Sequence, residues 1–155
     1  MSEKKLDMKT AIIFMGIQAS GKTHYYNQYL KDTYVHISLD ELNTRNKEKK
    51  AIVECIKNGS NLVIDNTNPT KADRERYIPM LKEAGYHIVG YFFESKIQDC
   101  IKRNEKRTGN QCVPNIAIAA TSNKLQLPSY DEGFDEMYFI EHTTETIMTK
   151  KDWRD

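Results

Sequence analysis

Gly16-Ile17-Gln18-Ala19-Ser20-Gly21-Lys22-Thr23 is the stretch that decides how this chain is read. It fits the pattern G-x-x-x-x-G-K-[ST], and its surroundings give the pattern meaning. Before it stands Ala11-Ile12-Ile13-Phe14-Met15, a continuous apolar run of the kind that forms a strand buried on both faces. After it, Lys22 to Leu30 reads as a helix. Glycines let such a loop wrap closely around an anion with its amide hydrogens turned inward. The helix beginning near Lys22 adds the positive end of its dipole. Gly16, Ile17, Gln18, Ala19, Ser20, Gly21, Lys22 and Thr23 are therefore expected to cradle the phosphates of ATP. Lys22 should reach the β- and γ-phosphates, and the Thr23 hydroxyl should ligate Mg²⁺.

Outward from the loop, strands and helices alternate. Tyr34 to Ser38, Leu62 to Asp65, Tyr86 to Phe93 and Met137 to Ile140 read as further strands. Asn46 to Ile56 reads as a helix closed by Lys57-Asn58-Gly59-Ser60. Thr70 and Asp73 form a capping pair that opens one helix running to Ala84, with Gly85 as its stop. Ser95-Lys96-Ile97-Gln98 carries a second capping pattern, leading into Lys102-Arg103-Asn104-Glu105-Lys106-Arg107. Thr108-Gly109-Asn110-Gln111 breaks that helix, and Pro114 opens another through Ala120. This alternation predicts an α/β domain, a five-stranded parallel sheet with helices on both faces. The strand order does not follow from it. The expected organisation is an N-terminal extension at 1–9, one domain at 10–142 with a lid near 103–125, and a polar tail at 143–155 in which Trp153 is loosely held.

Composition sets limits on function. At 155 residues, with 39% hydrophobic and 29% charged, the chain suits one globular domain. No apolar run approaches the roughly 20 residues that span a bilayer, and Met1-Ser2-Glu3-Lys4-Lys5 leads into a strand rather than a signal peptide. Cys55, Cys100 and Cys112 include no C-x-x-C pair, so neither a zinc site nor a disulfide framework is expected, and the cytoplasm is the simplest setting. A net charge of +1 argues against broad coating of a nucleic acid; any such contact should be local.

Two acids stand at expected C-terminal strand ends, where ligands bind in open α/β sheets. Asp40 is the candidate base that accepts the proton of an incoming hydroxyl, against the plainer role of a helix N-cap. Asp65 either holds Mg²⁺ through water or buttresses the loop at Asn66-Thr67-Asn68. Glu41 is expected to face solvent. Asp65 is followed by Asn66 rather than a water-activating Glu, and Asn123-Lys124-Leu125-Gln126 lacks the final acid of a guanine motif, so transfer is better supported than hydrolysis. Arg103 and Arg107, four apart on one helix face, suit a lid that closes over ATP; the alternative is a solvated basic helix end. His24 and His36 are expected on helix or strand surfaces, and Tyr25 and Tyr26 as core and surface.

Taken together, the phosphate loop, Ile37-Ser38-Leu39-Asp40, Val63-Ile64-Asp65-Asn66-Thr67-Asn68-Pro69, Arg74-Glu75-Arg76-Tyr77-Ile78, the 102–107 basic stretch with Val113-Pro114, and Glu132-Gly133-Phe134-Asp135-Glu136 resemble the kinase module of the polynucleotide 5′-hydroxyl kinases. The resemblance covers about Thr10 to Glu141 and implies a three-layer P-loop NTPase fold with a helical lid. It implies that Asp40 is the general base, that Arg107 contacts the donor phosphates and that Arg103 is its companion near the nucleotide. Members often place an arginine soon after the base to hold a substrate phosphate; Arg45, five residues on, is a loose match. Arg74 and Arg76 read either as substrate-side contacts or as an exposed helix face. The chain leaves no room for the phosphatase or ligase to which members are often fused, which leaves open a separate partner for either activity. The implied reaction is transfer of the ATP γ-phosphate to the 5′-hydroxyl of DNA or RNA. A kinase for a small hydroxylated metabolite, nucleoside or antibiotic is the first alternative. A low-turnover nucleotide-binding regulatory protein is the second, and it would need no acceptor base at Asp40.

Overall fold

In the computed structural model, which describes residues 8–109, 112–144 and 146–154, β1 (Thr10–Met15) pairs in parallel with a neighbour on each side. Its alternating side chains explain the unbroken apolar run. Ala11, Ile13 and Met15 join one core cluster, and Ile12 and Phe14 join another on the opposite face. Residues 1–7 of the expected N-terminal extension, and the Asn110-Gln111 part of the expected break, lie outside the described residues.

The sheet runs in the order β2 (Val35–Ile37), β3 (Leu62–Ile64), β1, β4 (His87–Phe93), β5 (Glu136–His142) and β6 (Met148–Asp152). Helix α1 (Lys22–Tyr29) covers one face through Tyr25 and Tyr26, both buried. On the other face, α2 (Leu39–Leu42) contributes Leu42, α3 (Arg45–Asn58) packs Ile52 and Cys55, and α5 (Ile78–Glu83) packs Ile78 and Leu81. The three-layer α/β reading therefore holds. Chain order places β1 where the sheet reverses its direction of growth, and the crevice beyond the carboxyl ends of the strands there is where ligands bind in such sheets.

The sheet has six strands rather than five. β6, in the expected polar tail, pairs antiparallel with β5. It is an edge strand, so Lys150, Lys151 and Asp152 remain exposed while Met148 is buried, and its composition hides it. Trp153 is likewise not loose. Its ring packs edge-on to Phe92 with centroids 5.6 Å apart, and its backbone N–H donates to the Met137 carbonyl.

The helix expected from Thr70 to Ala84 is two, α4 (Lys71–Glu75) and α5. The capping box at Thr70 and Asp73 forms as expected. Pro79 supplies the break, because it has no N–H to donate and is tolerated in the first turn of a new helix. Beyond β4 come α6 (Ile97–Glu105) and α7 (Asn115–Lys124), which span the region expected as a lid, with Pro114 just ahead of α7 as its N-cap. α6 ends at Glu105, so Arg107 lies past its end rather than on one helix face with Arg103.

Gly90, in the centre of β4, leaves no room for a side chain. A Cβ there would lie 2.9 Å from Phe134 Cε1 and 3.0 Å from Met15 Cε. Gly90→Ala is expected to cost about 1–3 kcal/mol of stability through overpacking, read as a lower midpoint in urea unfolding with an unchanged slope.

Candidate active site

The phosphate loop leaves β1 at Gly16 and is held by its neighbours. The Gly16 N–H donates to the Thr67 carbonyl at 3.0 Å, and the Ile17 N–H donates to Ser95 Oγ at 3.2 Å. Ser95 Oγ donates in turn to the Phe93 carbonyl, so Ser95 serves the loop and not the cap expected of it. The N-cap of α6 is Lys96, with no side-chain capping bond. A Cβ on Gly16 would sit 2.8 Å from Ser20 Oγ, and one on Gly21, at φ 95°, would sit 2.9 Å from Met148 Sδ. Glycine is needed at both places.

The β5–β6 hairpin braces one side of the loop. His142 Nε2 lies 2.8 Å from the Ser20 carbonyl, which can only accept, so that nitrogen carries the proton. The lid braces the other side. Ile17 and Ala19 are buried against Cys100 of α6 and Ile118 of α7, and Arg103 Nε donates to the Ala19 carbonyl at 2.7 Å.

Lys22 is buried at the start of α1. Its Nζ donates to the Gly16 and Ile17 carbonyls at 3.0 and 2.8 Å. Burial pulls its pKa down to about 8, against the opposing charge of Asp65. Lys22 shares a cavity of about 260 Å³ with Thr23, Asp40, Asp65, Asn66 and Arg107. Five residues singled out in the sequence thus meet in one place: Lys22, Thr23, Asp40, Asp65 and Arg107.

Asp40 lies in the first turn of α2 and is exposed. The N-cap role belongs to Ser38, whose Oγ accepts from the Asp40 N–H. Asn66 fixes α2 from the neighbouring strand end: its Oδ1 accepts from the Leu39 N–H, and its Nδ2 donates to Glu48 Oε2 at 2.8 Å. Asn68, at φ 44°, donates to the Phe14 carbonyl. The Asp65-Asn66-Thr67-Asn68 segment therefore ties three strand ends together.

Asp65 is buried, and its Oδ2 accepts from Thr23 Oγ1 at 2.7 Å. His36 Nε2 lies 2.7 Å from the same oxygen, while His36 Nδ1 lies 2.6 Å from Glu41 Oε1. A carboxylate at each ring nitrogen favours the doubly protonated imidazole. Burial lowers its pKa, and the hydrogen bonds and charges of Asp65 and Glu41 outweigh that, so the net shift is upward. The Tyr26 ring stacks on it at 4.3 Å. His36 is thus no surface histidine, and Glu41, though exposed, is tied to it. Nothing local in the sequence marks His36; its role comes from the pairing of β2 with β3.

Two other expectations need correction. Arg74 is fully buried, with Nε and Nη2 on the two oxygens of Glu132 at 2.8 and 3.1 Å and Nη1 on the Asn68 carbonyl. It cannot touch a substrate; it holds the Asn68 turn. Arg45 does not line the cavity with Asp40. Its Nη1 donates to Glu48 and to the Tyr77 hydroxyl, at 2.9 and 2.8 Å, beside a neighbouring groove. Arg103 borders a larger cavity of about 640 Å³ with His142, Thr144 and Lys106.

The residues fit a nucleoside triphosphate and Mg²⁺. The loop's two glycines occupy places that a Cβ would fill, and Lys22 and the start of α1 supply positive charge. Thr23 and Asp65 offer two oxygens already in contact. No cluster of three or more metal-ligating side chains occurs among the described residues, and none is required, because Mg²⁺ takes one or two protein oxygens together with phosphates and water.

The family model for the AAA domain matches residues 42–128, a range that starts beyond the phosphate loop and takes in Asp65 and the lid. A bifunctional polynucleotide phosphatase/kinase from Schizosaccharomyces pombe is 30% identical over 135 residues, covering 84% of this chain and 33% of that protein. The chain spans about a third of the length of the curated relatives it matches. Among solved structures, a gluconokinase from Sinorhizobium meliloti 1021 superposes with a TM-score of 0.59 at 16% identity, covering 90% of this chain and 86% of that one. A sugar kinase from Janibacter sp. HTCC2649 gives 0.62 at 13% identity, with 86% and 85% covered. At these identities the solved structures speak for the fold.

Two outcomes follow from this geometry. Phosphates bound at the loop should restore the proton that burial disfavours on Lys22, so ATP binding at pH 8 should take up about half a proton and less near pH 6.5. Calorimetry in buffers of different ionisation enthalpy measures this directly. Arg74→Met strands the carboxylate of Glu132 and should cost about 3–5 kcal/mol in chemical unfolding.

Proposed function

We propose that this chain, which belongs to the AAA domain family, transfers the γ-phosphate of ATP to the 5′-hydroxyl of a polynucleotide. At the coarser level it is a P-loop kinase domain. The observation that carries the finer reading is the cavity in which Asp40 and Arg107 join Lys22 and Thr23. Phosphoryl transfer asks a protein for positioning, charge stabilisation and one proton acceptor, and these four side chains match that list.

In this reading the loop amides and Lys22 hold the donor phosphates, and Arg107 stabilises charge on the transferring group. The Asp40 carboxylate accepts the proton of the acceptor hydroxyl as its oxygen bonds to the γ-phosphorus. The bond from that phosphorus to the β-phosphate oxygen breaks, and ADP leaves. Thr23 and Asp65 would hold Mg²⁺, which when bound neutralises charge on the β- and γ-phosphate oxygens. His36 keeps Asp65 oriented, and Arg103 locks the loop through Ala19 beside the cavity where the donor's nucleoside would lie.

The polynucleotide acceptor is supported by the curated relatives' name and by the resemblance of the Asp65-to-Pro69 segment to the polynucleotide 5′-hydroxyl kinases. A small hydroxylated acceptor is the second reading, favoured by the sugar kinases among the structural neighbours and by the net charge of +1. A switch protein with little turnover is less well supported, because the Asp40 side chain opens into the cavity and makes no hydrogen bond to the described residues. A separate phosphatase or ligase partner and a cytoplasmic setting accompany the first reading; no helix among the described residues is long and apolar enough to cross a membrane.

Labelled ATP should mark 5′-hydroxyl oligonucleotides in preference to nucleosides and sugars; label confined to small acceptors would overturn the polynucleotide reading. Asp40→Asn should lower transfer by about 10²- to 10⁴-fold with ATP affinity near wild type. Arg107→Ala should reduce kcat by about 10³-fold and weaken ATP binding far less, a split visible when turnover and nucleotide binding are measured on the same preparation.

A further inference from the structure

We infer that the groove between α3 and the α4–α5 bend binds the phosphodiester backbone of the acceptor strand beyond the nucleotide that is phosphorylated. This rests on the polynucleotide reading above and extends it to a second binding site. The groove, about 390 Å³, is lined by Arg45, Glu48, Lys49, Arg76 and Tyr77 over an apolar floor that includes Ile52. Its three cations come from two elements. Arg45 and Lys49 are four apart and share one face of α3, and Arg76 projects from the bend where Pro79 has split the helix.

The acid in the groove is already committed. Glu48 is 2% exposed, with Oε1 accepting from Arg45 and Oε2 from Asn66 and the Tyr77 hydroxyl. It fixes the Arg45 guanidinium in place and presents little charge of its own to a ligand. Lys49 and Arg76 are exposed, and among the described residues neither makes an ion pair. A groove with one pre-positioned arginine, two available cations and a partly apolar floor matches a nucleic-acid strand, which alternates phosphates with apolar base and sugar surface.

Continuity with the reaction cavity supplies the second support. Asn66 lines that cavity beside Asp40, and the same side-chain amide bonds Glu48 and Tyr77, which line the groove. The two spaces share a hydrogen-bonded wall. A strand with its 5′-hydroxyl at Asp40 meets the groove next, whereas a sugar or a nucleoside has nothing to place there. The local excess of positive charge is also consistent with an overall charge of only +1, since the groove engages a strand end rather than coating a duplex.

The test uses the full chain with 3′-labelled 5′-hydroxyl oligothymidylates of two to twelve nucleotides. Wild-type KM should fall by about tenfold or more as the acceptor lengthens. The double variant Lys49→Glu/Arg76→Glu should remove that gain while the KM for ATP stays unchanged. A charge-matched control, Lys31→Glu/Lys57→Glu, should retain it. Anisotropy titrations should show the salt dependence of octamer binding flattened by about 1.4 log units per log unit of salt in the double variant, for two lost phosphate contacts on a single strand. A KM independent of length, or a double variant no different from the control, overturns the groove while leaving the kinase reading intact. If wild type labels no oligonucleotide, the polynucleotide reading fails and the anisotropy arm alone judges the groove: octamer binding that the double variant does not weaken overturns it.

Discussion

A loop that turns its amide hydrogens toward a ligand cannot satisfy them within itself, so it has to be held in shape from outside. That constraint organises this domain. The loop from Gly16 to Thr23 is gripped at its start by Thr67 and Ser95, at Ser20 by His142, and at Ala19 by Arg103. Its apolar side chains, Ile17 and Ala19, are clamped between the lid helices. Lys22 folds back over the loop's own carbonyls and stays buried there despite the desolvation that lowers its pKa. Each grip comes from a different part of the chain, and the parallel sheet brings them to one edge.

The acid side of the site follows the same logic. Thr23, Asp65, His36 and Glu41 form one chain of contacts from the start of α1 through the ends of β3 and β2 to α2. Leu39, Asn66, Glu48, Tyr77 and Arg45 form another, from α2 to α3 and the helix behind it. Both hold α2, the four-residue helix that carries Asp40. A helix that short has little stability of its own, so the position of its carboxylate depends on these side chains.

Arg74 and Glu132 show how far from the chemistry such support begins. Their buried pair, 58 residues apart in sequence, pins the Asn68 turn, and Asn68 in turn caps the end of β1. Buried ion pairs are poor sources of net stability, yet breaking one leaves an uncompensated charge, which makes the geometry difficult to abandon.

Much of this was legible in the chain. The apolar strand, the glycine spacing and the helix after it act over a few consecutive residues, so the loop, the α/β class and the capping box at Thr70 could be read locally, and Lys22, Asp40 and Arg107 could be picked out as candidates that the fold brings to one cavity. β6 escaped because an edge strand needs only one buried face, and the split between α4 and α5 escaped because a proline in the first turn of a new helix carries no local mark that separates it from one inside a longer helix. Only the tertiary structure decided that Arg74 is an internal strut, that Arg45 faces a separate groove, that Ser95 serves the loop, and that His36 joins Asp65 to Glu41. The reason is physical: an arginine or histidine carries the same donors on a surface as in a core, and its role is set by whichever carboxylate or carbonyl the fold delivers to it from a distant part of the sequence.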